Sequence, residues 1–308
     1  MKERVLPHIL LCYDGTPSSY RAFNYIKSVF SGVPIDVTML KVIDSPLLHP
    51  SYSLNMRKRL LQEEEVETEA DRLYKDNLKE LNQLAEVLKN KVKGKIHVKV
   101  MFKAGELAYD IIKCAHDGLY DGVVIGKRGL SRISTYILGG VSQRLIYASN
   151  LPVWLIRGSE WNTKFLVPFE TSEIGLRVID YVTFLLSFHP DAEITFFHSH
   201  SIFTHMVEFR GSLYELLKKV EGTEWTRFFS KVRQIMEENS FPVERAEFLL
   251  KRNLFGPAGE VIRIAKKNDF QTIVIGRKGR NSLKHLFLGS VSQKLISYFE
   301  DRAVWIIH

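Results

Sequence analysis

Short runs of consecutive apolar residues alternate along the chain with longer stretches in which apolar positions recur every third or fourth residue. A run that is apolar on both faces suits a buried parallel strand, and the longer periodic stretch suits a helix crossing over it. The pattern predicts strands over 8–13, 35–42, 95–101, 121–126 and 152–156, and again over 164–168, 193–198, 243–250, 271–276 and 303–307. Between the second and third strands, residues 54–93 carry Leu78, Leu81, Leu84, Ala85 and Leu88 at helical spacing. They predict one long amphipathic helix, with Glu63, Glu64 and Glu65 on its solvated face. The matching stretch 202–239 is more aromatic and is interrupted by Gly211 and Gly222, which predicts a longer or broken helical insert.

The two sets of strands belong to a duplication. The segment Val123-Val124-Ile125-Gly126-Lys127-Arg128-Gly129 returns as Ile273-Val274-Ile275-Gly276-Arg277-Lys278-Gly279. Leu138-Gly139-Gly140-Val141-Ser142-Gln143 returns as Leu288-Gly289-Ser290-Val291-Ser292-Gln293, and Val153-Trp154-Leu155-Ile156 as Val304-Trp305-Ile306-Ile307. Three blocks in the same order define two tandem α/β domains, 1–158 and 159–308, joined by a polar linker at 157–164.

Composition narrows the picture. With 308 residues, 45% of them hydrophobic, the chain can bury two cores. No apolar run approaches the roughly 20 residues of a membrane span. The first apolar run is broken by Pro7 and His8 and meets Asp14, which does not fit a signal peptide. A cytoplasmic protein without a membrane partner is expected. Cys12 and Cys114 have no ligand spacing and read as small hydrophobes. His116, His189, His198, His200 and His205 show no metal pattern, so no metal site is expected. The net charge of +8 admits a polyanion, but the cations are dispersed among 35 acids, so nucleic acid is not the expected partner.

The candidate chemistry lies in the glycines. Gly126-x-x-Gly129, nine residues, then Gly139-Gly140 places one pair after a buried strand and the other at a helix start. A lone pair serves a turn; the same gap in both halves points to a ligand. Side-chain-free backbone and the positive end of a helix dipole make a phosphate cradle, to which Val141 and Ser142 contribute their N–H groups and Ser142 a hydroxyl. Gly276, Gly279, Gly289, Ser290, Val291 and Ser292 repeat it. Neither a GK[ST] ending nor GxGxxG is present, so this is neither a Walker A loop nor a dinucleotide fingerprint. The cations Lys127, Arg128, Arg277 and Lys278 within these loops either neutralise phosphates or face solvent.

This pattern, running through both halves, resembles the ATP-binding members of the universal stress protein family. The resemblance implies two doubly wound five-stranded parallel sheets of order 3-2-1-4-5, of the adenine-nucleotide alpha-hydrolase-like type, with ATP, ADP or AMP, and Mg²⁺ beside it, held where strands one and four diverge. It implies that Asp14 lies beside the adenine, that the Val42 backbone reads its edge, that Gly126 and Gly129 flank ribose and phosphates, and that Gly139 to Ser142 hold the phosphates. The second half departs at the adenine end, with Glu170-Thr171 for Asp14-Gly15 and Ser199 for Val42, while the first departs at the phosphate end, with Gly140 where the second has Ser290. The first half is therefore expected to hold the stronger site. The resemblance also implies that the last strand of each half serves in dimerisation; here the two could pair with each other as an internal pseudo-dimer, which leaves room for a homodimer.

No nucleophile, general base or metal cluster stands near the glycines, so a nucleotide-dependent regulatory module in stress response is expected, with no catalytic residues. The alternatives are a scaffold with degenerate sites and a slow ATPase. The chain carries neither His-x-Gly-His with Lys-Met-Ser-Lys-Ser nor Ser-Gly-Gly-x-Asp-Ser, which sets aside synthetases and PP-loop pyrophosphatases.

Overall fold

The computed structural model describes residues 5–44, 63–127, 140–200, 208–223, 225–277 and 288–308. The first half runs β1 (His8–Cys12), α1 (Pro17–Val29), β2 (Asp36–Ile43), α2 (Glu63–Lys89), β3 (Ile96–Phe102), α3 (Leu107–Asp117), β4 (Gly122–Gly126), α4 (Gly140–Ala148) and β5 (Val153–Ile156). The second runs β6 (Lys164–Pro168), α5 (Glu173–Leu186), β7 (Glu193–His200), β8 (Phe209–Gly211), α6 (Leu213–Val220), α7 (Thr226–Glu238), β9 (Ala246–Arg252), α8 (Pro257–Lys267), β10 (Thr272–Gly276), α9 (Ser290–Tyr298) and β11 (Ala303–Ile307).

Local chemistry accounts for the elements. Helix α1 starts where the Thr16 side chain accepts from the Ser19 N–H and Pro17 fills the first position. Its Ala22, Phe23, Ile26 and Val29 then fall on one buried stripe. The long helix predicted over 54–93 is seen as α2 from Glu63; residues 54–62 lie outside the described ones. The insert of the second half is broken into the short strand β8 and the helices α6 and α7. The strand expected from 243 begins at Ala246, because Pro242 opens a single 3-10 turn over Val243–Arg245 in which the Arg245 N–H bonds the Pro242 carbonyl.

Both halves have the strand order 3-2-1-4-5, all parallel, and the two sheets are continuous. The full order is β3-β2-β1-β4-β5-β11-β10-β6-β7-β9-β8, in which β8 runs antiparallel to β9. Strands β5 and β11 meet antiparallel, with Trp154 opposite Trp305. Their indoles stack at 3.8 Å between centroids and 7° between planes, both fully buried. The seam is tied further by Trp154 Nε1–H donating to the Tyr181 hydroxyl at 2.9 Å and by a 2.9 Å bond between Tyr25 and Thr272. At the linker the backbone of Gly158 has φ +80°, and a Cβ there would lie 2.2 Å from the Asp301 carbonyl oxygen, so only glycine fits. Two cores cover the sheet, one under α1, α2, α5 and α7 and the other under α3, α4, α8 and α9.

Candidate functional site

In the first half β1 lies between β2 and β4, pairing Leu10 with Thr38 on one side and Leu10 with Val123 on the other. The chain leaves β1 for α1 on one face, while the helix after β4 packs on the other, which makes the ends of these two strands the topological switch point of the sheet. Asp14 is exposed at the end of β1, and its carboxylate accepts from the Thr16 N–H at 3.0 Å and the Thr16 hydroxyl at 2.6 Å. Gly126 closes β4. A Cβ there would lie 1.8 Å from the Ser18 carbonyl oxygen, so this glycine lets the first turn of α1 rest on the strand end. Val42 is half-buried on β2, opposite Met101 of β3, on the sheet face that carries α3 and α4. Gly140 opens α4 and is exposed, with free space where a side chain would be; Val141 is half-buried and Ser142 buried.

The second half repeats the helix start. Gly289 caps α9 in extended conformation without a side-chain bond; its N–H donates to the Arg277 carbonyl at 2.9 Å. Ser290 is exposed, Val291 half-buried, and the Ser292 hydroxyl donates to the Gly276 carbonyl at 2.7 Å. That bond pins the first turn of α9 against the end of β10, leaving the N-terminal amides of the helix without a side-chain cap. Arg128, Gly129, Gly139, Lys278 and Gly279 lie outside the described residues. Asp14 thus follows β1, Gly126 ends β4 and Gly140 to Ser142 open the helix that comes after it, with Val42 one strand over.

The loop cations that are described do not face solvent. Lys127 is 9% exposed, Arg157 4% and Arg277 7%. The Arg277 guanidinium donates to the Tyr147 carbonyl at 2.7 Å and bonds His308 Nδ1 at 3.0 Å. Arg157 donates to the Ile296 carbonyl at 2.6 Å and the Phe299 carbonyl at 2.5 Å. Burial, and secondarily the charge of Arg157, pulls the Lys127 ammonium down to about 8. Burial, with Arg277 next to it, pulls His308 down to about 3.

On the opposite sheet face the halves differ. Lys41 forms a 2.5 Å ion pair with Glu80 of α2, and the Tyr13 hydroxyl donates to the same carboxylate at 3.2 Å. Burial and then Glu80 push the Tyr13 phenol upwards. In the second half Phe169 and His198 take the places of Tyr13 and Lys41, since Phe169 bonds Phe197 as Tyr13 bonds Leu40. Phe228 of α7 stacks on Phe169 at 5.9 Å and 2°, and His198 meets the Trp225 ring at 5.5 Å. Next to them, Thr171, Ser172, Leu176, Trp225, Arg227 and Phe228 line a cavity of about 430 Å³. Sequence reasoning missed the Tyr13, Lys41 and Glu80 cluster; its one visible signal was the alignment of His198 with Lys41.

Among the described residues no group of three or more His, Cys, Asp or Glu could hold a metal ion, and no helix is long and apolar enough to cross a membrane. No curated protein matches the chain. Among solved structures, a universal stress protein from Archaeoglobus fulgidus is similar over 97% of both chains, at 19% identity and a TM-score of 0.65. A functionally unknown protein from Pseudomonas aeruginosa is similar over 98% of this chain and 92% of its own, at 15% identity and a TM-score of 0.57. These likenesses show the fold: an α/β sheet, mostly parallel, covered by helices. The sequence model of the Universal stress protein family matches residues 6–157 and 255–300, the second stretch containing the second glycine motif. The chain belongs to the universal stress protein family.

Proposed function

We propose that the chain is two universal stress protein domains, 1–158 and 159–308, that bind an adenine nucleotide above the ends of β1 and β4. It acts as a nucleotide-dependent regulatory module of the cytoplasmic stress response. The observation that carries this reading is the helix start repeated beside the fourth strand of each half. Gly140 leaves open space at the head of α4, and Gly289 heads α9 without a side-chain cap while Ser292 pins it to Gly276. Such a start offers backbone N–H groups and a positive dipole end to phosphate. Asp14 then serves the adenine side and the Val42 backbone the base edge, with Gly126, Arg128, Gly129 and Gly139 along the ribose and phosphates. Gly276, Lys278, Gly279, Gly289, Ser290, Val291 and Ser292 form the second cradle. Mg²⁺ would be held mainly through the phosphates and water, as is usual for that ion.

The first half is read as the stronger site. The family match spans it from 6 to 157, whereas in the second half it spans only 255–300, the phosphate end. The test is calorimetric titration of the full chain with ATP, ADP and AMP, together with mass spectrometry of ligand released from the purified protein. Gly140→Trp fills the space at α4 and is expected to weaken binding at least tenfold. A chain that carries no nucleotide and takes up none of the three at millimolar concentration sinks this reading in favour of a scaffold with degenerate sites.

A further inference from the structure

The two helix starts just described are mechanically joined. Arg277 touches both: its backbone carbonyl accepts the N–H of Gly289 at the head of α9, and its side chain donates to Tyr147 in the last turn of α4. Helix α4 has nine residues and its head is Gly140, so the guanidinium grips one end of a rod about 13 Å long whose other end is the first cradle. The reverse link runs through Arg157, which caps the last turn of α9 through Ile296 and Phe299. Arg157 follows β5, and the Ile156 carbonyl beside it accepts the N–H of Lys127, the residue that enters the first glycine loop. A cation at a helix C-terminus bonds free carbonyls and complements the dipole. Both guanidinium groups are buried, and among the described residues neither has a carboxylate within 4.0 Å, so the helix ends are their principal partners.

We propose that Arg277 and Arg157 are positioning residues that couple the two candidate nucleotide sites, so that filling one cradle changes the affinity of the other; this rests on the nucleotide reading above. An anion drawn onto the head of α4 moves that helix along its axis. The shift is felt at Tyr147 by the guanidinium whose own backbone sets the head of α9. A buried cation cannot lose its carbonyls without cost, so the movement is resisted or followed, and in either case transmitted.

The test is a thermodynamic cycle on the full-length chain, read by calorimetric titration with ATP. Ser290→Trp occupies the second cradle, and the affinity of the first half is measured with and without it, in the Arg277 and the Arg277→Gln backgrounds. With Arg277 in place the block is expected to shift first-half affinity by about fivefold or more, the lower end of ordinary allosteric coupling. In Arg277→Gln the shift should fall below twofold, and Arg277→Lys, which keeps a charge and a donor, should restore part of it. Equal shifts in both backgrounds, or none in either, overturn the coupling while leaving nucleotide binding intact. A wild-type chain that binds no ATP overturns both. Because coupling is reciprocal, Gly140→Trp crossed with Arg157→Gln measures the same quantity from the other side and stands in if Arg277→Gln does not fold.

Discussion

At the end of the second strand the two halves present one frame with opposite contents. The first half has a hydroxyl, an ammonium and a carboxylate, Tyr13, Lys41 and Glu80, joined at 2.5 and 3.2 Å. The second has Phe169, His198, Phe228 and Trp225, packed ring against ring, with Phe228 stacked on Phe169 and Trp225 edge-on to His198. A duplicated backbone therefore does not fix what fills it. The strand ends and the helix above them are free to trade a partly solvated polar cluster for an apolar one as long as the sheet register holds. The stretch 158–254, which holds the aromatic version, is also the longest part outside the family match. Divergence from the family is concentrated there, while both glycine motifs lie within the match.

Substitutions on each side measure how different the two versions are. The largest effect is expected from Phe169→Ala, a buried ring with five aromatic neighbours, which should lose about 3–5 kcal/mol in urea unfolding. A loss below about 1 kcal/mol would mean that the aromatic cluster is ornamental to stability.

The next expected effect is an acid sensitivity that the matching position of the first half lacks. His308 is held neutral in the fold down to about pH 3, against an ordinary value of 6.5. The unfolded chain thus binds the additional proton between those limits. Stability from this group is complete above pH 6.5 and drains away as pH falls towards 3, by at most about 1.4 kcal/mol per pH unit. Its counterpart at the end of β5, Arg157, does not titrate in that window. In His308→Asn the slope of unfolding free energy over that range should flatten; an unchanged slope assigns the acid response elsewhere.

Smaller changes probe the polar version. Tyr13→Phe removes the hydroxyl donor to Glu80 and should cost about 1 kcal/mol. Smallest of all, Lys41→Met breaks an ion pair whose carboxylate side chain is 41% exposed, and should move stability by less than about 1 kcal/mol. If Lys41→Met costs more than Phe169→Ala, the polar cluster and not the aromatic one is the stronger support of its half.

The inner strands β1, β4, β5, β10 and β11 were readable because a strand buried on both faces has an unbroken apolar run, and β4 and β5 are repeated by β10 and β11; β3 instead alternates apolar and polar residues. Strand β8 was not readable, since three residues carry no period to recognise. The candidate residues Asp14, Gly126 and Gly140 to Ser142 were legible as a motif, though the structure gives Gly126 a second reason: the Ser18 carbonyl leaves no room for a Cβ. The ion pair of Lys41 and Glu80 joins residues 39 apart through the packing of a long helix, which no local pattern records. Arg277 read as a loop cation because its partner, Tyr147, is 130 residues away across the seam.

The strand order has a consequence for synthesis. β11 lies sixth in a sheet of eleven, yet it is made after the ten strands that surround it. While the ribosome is still upstream of residue 303, β5 and β10 both present open edges, and Trp154 has no indole to lie against. Open edges on a nearly finished sheet are the surfaces through which nascent chains find one another. The closure of the sheet therefore waits for β11 to be made, and the interval before it is when the open edges of β5 and β10 are exposed to a second copy or a chaperone.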